Sequence, residues 1–407
     1  MCVPYSRNKF LHRKAKASFR TLHKGMGMKY KINLSDISYD NAEIRAVERV
    51  LKSGWLSQGR LTAKFEDAFS ELIGVNFCLA VSNCTAALHL ALLASGISKG
   101  DEVIVPSLTF VATANSVVYT GATPVFADIE SLLRPVISPE DVESKITENT
   151  KAIIAVHFAG YPVAMNELRK ICRRYKLKLI EDSAHAINVR YGDRKLGGIG
   201  DAGCFSFFAN KNITTGEGGM LATNDENIYN KAKLMRSHSV TSSTYERHKI
   251  KFTEYDAVDL GFNYRITEIT AALGLAQLEK LSKIKSIRKR LVDVYKKELA
   301  DVENIIIPFS NFTGDSGYHI FPILVRKTKD RLKLIEHLNR SGIQVSHHYK
   351  PIHLFSFYRK NYGTKKGGLP LTEEFSVKEI TLPLHQNLSV KDVKYVCNKV
   401  KEGLVKK

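Results

Sequence analysis

The chain has 407 residues, of which 44% are hydrophobic, with 11 prolines and a formal net charge of +20 at pH 7. This length fits two domains or one large domain with an appendage, and the composition excludes a disordered chain. No apolar window reaches the length of a membrane span, and the six cysteines show neither paired nor metal-ligand spacing, so we expect a cytoplasmic protein with reduced thiols, no membrane partner and no metal.

Part of the positive charge lies in a basic N-terminal extension, residues 1–28, which contains seven Lys and Arg residues and no Asp or Glu. It lacks the long apolar segment of a secretory signal, so it is either disordered or upstream of a true start at Met26 or Met28. The remaining charge is spread along the chain without a zinc-finger, basic-zipper or RNA-binding pattern. We therefore expect small anionic ligands such as nucleotide diphosphates, and no nucleic acid.

Strand and helix patterns alternate through the N-terminal half of the chain. Strands are predicted over Tyr30–Leu34, Phe77–Val81, Glu102–Pro106, Pro124–Asp128, Ala152–His157 and Leu177–Glu181. Helices are predicted over Asn41–Leu51, Leu61–Ile73, Val111–Tyr119, Glu140–Ile146, Asn166–Tyr175 and Glu226–Arg236, and a further helix ends at Ala94. The alternation predicts right-handed crossovers and an α/β fold in which helices cover both faces of a largely parallel sheet.

Two features that follow predicted strands fit a ligand site. The segment 82–85 (Ser-Asn-Cys-Thr) begins the helix that ends at Ala94, where free backbone N–H groups and the helix dipole can bind an anion. An ordinary N-cap has the same composition. Phe110 follows the next strand, at the sheet edge where ligands bind in open α/β folds, and its ring either packs in the core or covers a cofactor ring.

The stretch Cys204–Leu221 predicts a strand, a turn with a single lysine, Lys211, and a returning strand after a Gly-rich break. This lysine is either a solvated turn charge or an amine whose pKa is lowered by burial, so that it can form a Schiff base with an aldehyde. Asp182 directly follows a predicted strand, so the two residues can converge at one edge of the sheet. Pyridoxal phosphate (PLP) requires such a pair, a lysine for its aldehyde and an aspartate to keep its pyridine nitrogen protonated.

The C-terminal part predicts a smaller α/β domain. A polar loop over 237–258 precedes a long helical region over Thr267–Leu299. Beyond it, strands are predicted over Tyr318–Val325 and Gln344–Tyr349, and helices over Asp330–Asn339 and Val390–Lys401. We therefore divide the chain into the extension over 1–28, a large domain over 29–275 and a small domain over 276–407.

Several short motifs occur in a fixed order along the chain. They are Gly54–Gly59 (GWLSQG), Ser82–His89 (SNCTAALH), Gly100–Pro106 (GDEVIVP), Gly121–Phe126 (GATPVF), Glu181–His185 (EDSAH), Phe205–Phe208 (FSFF), Gly216–Gly219 (GEGG) and Gly261–Arg265 (GFNYR). From about Tyr30 to its C-terminus, the chain resembles the fold-type I PLP-dependent sugar aminotransferases of the DegT/StrS type. The segment 210–220 is similar to the GDP-perosamine synthase branch of that family.

This resemblance implies a large PLP-binding domain with a smaller C-terminal α/β domain. Lys211 would be the catalytic lysine that binds PLP, and Asp182 would hold the pyridinium nitrogen. The other implied cofactor contacts are Cys84, Thr85 and Ser206 at the phosphate, Phe110 on the ring and His185 near the phenolic oxygen. Asn263 would reach the phosphate from a neighbouring subunit, which implies a homodimer with shared active sites.

The resemblance also implies a reaction. L-glutamate would supply an amino group to a nucleotide-linked keto-deoxysugar of the 4-keto-6-deoxy type, which would become an amino sugar. Candidates for binding the substrate are Arg236, Arg265, His347, Tyr349 and His353. Histidines can also indicate a metal, but neither a carboxylate nor a cysteine stands at ligand spacing, so we expect none.

Two positions depart from the family pattern, and alternative functions remain. Cys84 stands where the family commonly has Gly, and Arg236–Ser239 (RSHS) stands where it has Arg-x-His-Gly. A related PLP enzyme could instead aminate a cyclitol ketone. Lys211 argues against 3-dehydration of a deoxysugar, because that branch has histidine in place of the lysine. A basic regulator or nucleic-acid-binding protein is the alternative of another class, but it would have no use for the lysine–aspartate pair.

Overall fold

The structure, a computed structural model, describes residues 30–241 and 254–404. The predicted N-terminal extension over 1–28 lies outside the described residues, as does the middle of the loop predicted over 237–258. Within the described ranges, no helix is long and apolar enough to cross a membrane.

The fold centres on one large, mostly parallel sheet. The strands are, in chain order, β1 (Phe77–Val81), β2 (Glu102–Pro106), β3 (Thr123–Ala127), β4 (Thr150–Val156), β5 (Lys178–Asp182), β6 (Arg190–Tyr191), β7 (Arg194–Lys195), β8 (Ala202–Ser206), β9 (Gly219–Thr223), β10 (Ile305–Ile306), β11 (Phe321–Val325) and β12 (Glu379–Leu382). The large sheet has seven strands in the order β1-β9-β8-β5-β4-β2-β3. Only β9 runs antiparallel to its neighbours in this sheet, which confirms the predicted α/β class.

Helices cover this sheet and make up most of the remaining chain. They are α1 (Asn41–Ser53), α2 (Arg60–Ile73), α3 (Cys84–Ala94), α4 (Ala112–Tyr119), α5 (Pro139–Ser144), α6 (Met165–Tyr175), α7 (Glu226–Arg236), α8 (Glu268–Leu278), α9 (Leu281–Glu298), α10 (Thr328–Arg340), α11 (Ser356–Tyr362), α12 (Pro370–Lys378) and α13 (Val390–Leu404). Helix α3 packs against β8 and β9 on one side and against α4 and α7 on the other. Its residues are almost all buried, as expected for a helix without a polar face. Its N-terminus lies at the carboxyl edge of β1.

A smaller C-terminal unit follows, as the sequence predicts. Strands β10, β11 and β12 form an antiparallel sheet. Helices α9, α10 and α13 contribute to the hydrophobic cluster around it. Ile32, from near the start of the described chain, joins this cluster and forms a bridge with Ile343. The strand predicted over Tyr30–Leu34 is therefore reduced to a single bridge, because its partner is a loop residue.

Two other predicted elements differ from the structure. The helical region predicted over Thr267–Leu299 is divided into α8 and α9. Lys280 at the junction contacts Glu43 of α1 and Asp40, the N-cap of that helix. The strand predicted over Gln344–Tyr349 is wrong apart from one bridge between Ser346 and Thr381. In both cases contacts with a distant part of the chain outweigh the local pattern.

Candidate active site

Asp182 ends β5 at the carboxyl edge of the large sheet, opposite Cys204 of β8. Its side chain is buried, and the Thr113 hydroxyl donates to Oδ2 at 2.8 Å while the Ala184 N–H donates to Oδ1 at 3.2 Å. Burial raises the pKa of Asp182, and these two donors together with the charge of Lys211 act in the opposite direction. The result is a fixed, buried carboxylate that favours a cation beside it.

Lys211 lies in the turn after β8, as the strand–turn–strand pattern predicts. Its backbone N–H donates to the Phe208 carbonyl at 2.9 Å, and Phe208 pairs with Gly216 across the turn. Burial lowers the pKa of Lys211 to about 8, although the neighbouring Cys84 and Asp182 raise it. The structure thus brings Lys211 and Asp182 within electrostatic reach of each other, and the lysine has a larger neutral fraction near neutral pH than a solvated lysine.

An anion-binding surface is formed where α3 begins. Asn83 caps this helix by accepting from the Ala86 N–H at 2.9 Å, and within the described residues the N–H groups of Cys84 and Thr85 have no hydrogen bond. Gly219 of β9 approaches so closely that a Cβ there would lie 2.4 Å from the Asn83 carbonyl carbon. Glycine is required at this point because the strand and the helix N-terminus are in contact.

Ser206, the last residue of β8, pairs with Gly219 and is thereby brought to the same surface. The three residues predicted at a phosphate, Cys84, Thr85 and Ser206, therefore surround one helix N-terminus. Burial raises the pKa of the Cys84 thiol well above its ordinary value, so this residue contributes a neutral thiol and a backbone N–H. The geometry fits an anion with several oxygen atoms.

Aromatic and imidazole rings line the side of the cleft nearest the C-terminal unit. The Phe110 side chain is 60% exposed, and its ring centroid lies 6.2 Å from that of Tyr349. The Tyr349 hydroxyl lies 3.3 Å from His185 Nε2. His185 is buried, and its Nδ1 has no hydrogen-bond partner within the described residues. Tyr349, which the sequence predicts to bind the substrate, thus contacts Phe110 and His185, which it predicts to bind the cofactor.

Arg236 serves the packing of the N-terminal half. It is 4% exposed, and its Nη1 donates to Glu66 at 2.6 Å and to the Ala80 carbonyl at 2.8 Å. This pairing compensates a buried charge, which would otherwise be costly. It ties α7 to α2 and β1 and leaves Arg236 outside the group that surrounds Lys211.

The remaining predicted residues are dispersed. His353 is buried between Ser107, at 2.7 Å, and Glu373, at 3.1 Å, and His347 Nε2 lies 3.1 Å from Ser376. Arg265 Nη2 lies 3.4 Å from His238 Nε2. Asn263 has an exposed side chain, and its backbone pairs with Ser237. None of these three residues, His347, His353 or Asn263, makes a hydrogen bond to Lys211 or Asp182 in the described parts of the chain.

The residues present fit PLP. A half-buried lysine and a buried carboxylate lie within electrostatic reach of each other, a helix begins nearby with free N–H groups, and the Phe110 side chain is exposed. The unpartnered Nδ1 of His185 and the unpartnered Ser183 hydroxyl are buried groups that a polar ring substituent can satisfy. A cofactor with an aldehyde, a ring nitrogen and a phosphate matches these groups one by one.

The sequence interpretation missed three side chains in this region. Thr113 contacts Asp182, and only its position on the helix after Phe110 could have indicated this. Asn212 Nδ2 donates to the Gly317 carbonyl at 2.6 Å, so its oxygen accepts from His319 Nδ1 at 3.2 Å. His319 comes from the C-terminal unit, more than a hundred residues away in sequence, and no local pattern identifies it.

Comparison with known proteins agrees with this site. The model of the DegT/DnrJ/EryC1/StrS aminotransferase family matches residues 38–401. GDP-perosamine synthase of Escherichia coli O157:H7 is 37% identical over 378 residues, which cover 92% of this chain and 99% of that protein. PseC of Helicobacter pylori, an aminotransferase involved in the biosynthesis of pseudoaminic acid, is 34% identical with a TM-score of 0.85, over 91% of this chain and 98% of PseC. The PLP form of Spr1654 from Streptococcus pneumoniae is 30% identical with a TM-score of 0.84, over 93% of this chain and all (100%) of that one.

The fold and these comparisons define a PLP-dependent sugar aminotransferase. More particularly, the chain belongs to the DegT/DnrJ/EryC1/StrS aminotransferase family, as its motifs predict.

Proposed function

We propose that this enzyme converts a nucleotide-linked 4-keto-6-deoxysugar into the corresponding amino sugar, with L-glutamate as the amino donor. The similarity to a GDP-perosamine synthase over nearly the whole of both chains supports a nucleotide-linked substrate. The net charge of +20 also favours a ligand that carries a diphosphate.

The observation that carries this proposal is that Lys211 and Asp182 lie within electrostatic reach of each other. Both side chains lie at the carboxyl edge of neighbouring strands, and burial lowers the pKa of Lys211 to about 8 while Asp182 remains within electrostatic reach. When bound, PLP supplies an aldehyde that accepts the amino group and a protonated ring that withdraws electrons from the substrate carbon. Asp182 keeps the ring nitrogen protonated, because a carboxylate favours the charged form of a neighbouring base.

Lys211 has two tasks in this proposal. Its Nζ would hold the aldehyde of the cofactor in the resting enzyme, and as a free amine it would take and return the proton on the substrate carbon. A lowered pKa suits both tasks, since the neutral amine is the nucleophile and the base. The half-buried position of this side chain limits the access of water during proton transfer.

The other residues hold the cofactor in place. The N–H groups of Cys84 and Thr85 and the Ser206 hydroxyl would hold the phosphate, Phe110 would cover the ring, and the unpartnered Nδ1 of His185 would bind a polar ring substituent. Asn263 is exposed, and we propose that it contributes to the phosphate site of a second copy, in a homodimer with shared active sites. We further propose that the enzyme is cytoplasmic.

A panel of nucleotide-linked keto-sugars tests the substrate class. Purified enzyme with PLP is incubated with L-glutamate and, in separate reactions, a cyclitol ketone or GDP-, UDP- or dTDP-linked sugars that carry the ketone at C4 or C3. The products are identified by mass spectrometry and NMR. We expect glutamate-dependent amination of one 4-keto-6-deoxysugar and none with Lys211→Ala. Amination of a cyclitol ketone, with no nucleotide sugar consumed, would refute the proposal.

A further inference from the structure

A chain of hydrogen bonds connects a buried carboxyl group of β12 to an imidazole beside Lys211. His348 Nδ1 lies 2.8 Å from Thr381 Oγ1, and the Thr381 hydroxyl contacts Glu379 Oε1. The other carboxyl oxygen, Glu379 Oε2, accepts from the backbone N–H of His348 at 2.9 Å. Glu379 and Thr381 are buried, so neither exchanges partners with bulk water.

His348 stands at the edge of the proposed active site. It lines a small cavity together with Asn210, which precedes Lys211, and with His319. Burial, and then the positive charge of Lys211, lowers the pKa of His348 to about 4. The imidazole is therefore neutral in the working pH range, and only one of its two ring nitrogens carries a hydrogen.

The Thr381 hydroxyl has one hydrogen and two neighbours that compete for it. If Glu379 is ionised, Thr381 donates to Glu379 Oε1, and His348 must donate from Nδ1, which leaves a lone pair on Nε2. If Glu379 carries a proton, it donates to Thr381, Thr381 donates to His348 Nδ1, and Nε2 carries the hydrogen. In both states Glu379 Oε2 still accepts from the His348 backbone, so the chain of bonds permits both.

We propose that Glu379 is a positioning residue that, through Thr381, selects which ring nitrogen of His348 carries the hydrogen beside Lys211. This inference rests on the proposed place of Lys211 in the reaction. It assigns no direct contact with the substrate to Glu379.

The surroundings of Glu379 favour the protonated state at neutral pH. Burial raises the pKa of Glu379 to about 8, against the opposing effects of the Thr381 hydroxyl, the His348 N–H and Arg331. Arg331 of α10 uses its Nε to donate to the Glu379 backbone carbonyl at 2.7 Å, so it does not form an ion pair there. Tyr349 and His347, the other titratable groups on the facing segment, are neutral, because burial raises the pKa of the first and lowers that of the second to about 4.

The two states differ in what Lys211 meets. With Glu379 protonated, His348 Nε2, the ring nitrogen that is not bonded to Thr381, carries an N–H, and we infer that this disfavours the ammonium form of Lys211, whose charge acts on His348. With Glu379 ionised, Nε2 carries a lone pair instead, which favours the ammonium. The carboxyl group thus tunes the base through two intervening side chains, and the tuning is lost as the pH rises through about 8.

The test is NMR of the holoenzyme labelled with ¹⁵N-histidine, in which the His348 signals are assigned with His348→Gln. We expect the hydrogen on Nε2 at pH 6.5 and a change of tautomer through a step near pH 8. Thr381→Val removes the hydroxyl at nearly constant volume and should abolish the step, whereas the matched control Thr381→Ser should keep it. A hydrogen on Nδ1 at pH 6.5, or an unchanged step in Thr381→Val, would overturn the proposal.

Glu379→Gln provides a second test, because its amide donates to Thr381 at every pH while its oxygen accepts from His348. We expect Nε2–H in this variant up to pH 9, and kcat/KM of the wild type should fall relative to the variant by up to about tenfold per pH unit above 8. A parallel fall in both proteins would overturn the proposal. The NMR experiments need no substrate, so they succeed or fail independently of the proposed sugar chemistry.

The pH dependence of stability tests whether Glu379 carries a proton in the folded protein. The pKa of Glu379 is raised from 4.5 to about 8 in the folded protein, so the native state binds more protons than the unfolded state between these values. The free energy of unfolding of the wild type should therefore fall relative to Glu379→Gln as the pH rises from about 5 to 8, and level off above it. A difference that does not vary with pH would show that Glu379 is not protonated in this range and would overturn the proposal.

Discussion

At the scale of single residues, the site depends on side chains that hold one another in a defined charge state. Asp182 must be ionised to stabilise a pyridinium, yet burial favours its neutral form. Thr113 opposes burial by donating to Oδ2 at 2.8 Å. Lys211 must be neutral to act as a nucleophile, and here burial helps. Burial therefore favours the neutral amine that Lys211 needs, whereas at Asp182 hydrogen bonds must offset the effect of burial to keep the carboxylate ionised.

Replacement of Lys211 tests the role of the amine. We expect Lys211→Ala to lower kcat by at least the ~10²–10⁴-fold typical of lost general acid–base catalysis, since the variant also loses the group that binds the aldehyde. Lys211→Arg should be as defective, because a guanidinium stays protonated. Turnover with glutamate is the measurement, and the exposed Lys151→Ala is the control. A loss of less than tenfold in Lys211→Ala would contradict the assignment.

Replacement of Thr113 tests the compensation at Asp182. Thr113→Val removes a hydrogen bond to a charged acceptor, which is worth about 1.5–3 kcal/mol, and so raises the pKa of Asp182 further. The sign follows directly: the acid limb of the profile of kcat/KM against pH should move to higher pH in the variant. Thr113→Ser keeps the hydroxyl and should retain the wild-type limb. Identical profiles for the valine and serine variants would show that the contact has no part in the charge state of Asp182.

At the scale of elements, the sequence predicts the sheet better than it predicts the connections around the site. The bounds of β1 and β2 agree with the predicted ones, because each is a short apolar run between turn residues and is buried on both faces. The turn that carries Lys211 also agrees with the prediction, because a short apolar strand precedes it and another follows it. Apolar and polar residues also alternate in the segment 344–349, but this segment does not form a strand. Its polar groups contact β12 instead.

Contacts between distant elements could not be predicted from a single chain. Asp182 and Thr113 are separated by 69 residues, and His348 and Thr381 by 33. Thr113 lies in a helix and Thr381 in a strand, and in neither place does the residue type alone indicate a partner. The predicted substrate role of Arg236 illustrates the same limit, because its charge is visible in the sequence but its partner Glu66, 170 residues away, is not.

Arg288 of α9 shows how one element can hold several others. It is buried, and its Nη1 lies 3.1–3.2 Å from the carbonyls of Tyr318, His319 and Leu384, while burial lowers its pKa to about 10. Nη2 adds a bond to Gln386 at 3.2 Å. The arginine thereby fixes the backbone that carries His319, which in turn contacts Asn212 next to Lys211.

Arg288→Met should destabilise the protein by about 2–4 kcal/mol, because it leaves buried carbonyls without a donor. Urea unfolding at fixed protein concentration measures this, and Arg290→Met, an exposed position on the same helix, is the matched control. We also expect Arg288→Lys to recover only part of the loss, since an ammonium cannot reproduce the planar set of donors. Equal stability of the two methionine variants would contradict a structural role.

At the scale of the whole molecule, the exposed apolar side chains bear on the proposed homodimer. Apolar side chains are exposed in the region that precedes Asn263, where Tyr255 is 60% and Leu260 is 76% exposed. Phe110 and Tyr119, at the two ends of α4, are also exposed, at 60% and 56%. Exposed apolar patches mark protein–protein contacts in many soluble proteins. We propose that a second copy covers Tyr119, Tyr255 and Leu260, and that the domain boundary predicted near residue 276 corresponds to the junction of α8 and α9.

Complementation between two inactive variants tests whether the active site is shared. Lys211→Ala abolishes the amine, and Asn263→Asp places a negative charge where we propose a phosphate contact, so each homodimer should be inactive. If Asn263 acts across the interface, a mixed dimer has one site with an intact Lys211 from one subunit and an intact Asn263 from the other. We therefore expect mixed dimers, isolated with two different affinity tags, to regain about half of the wild-type kcat per dimer. If both residues served the same chain, each subunit of the mixed dimer would carry one defect and no activity would return.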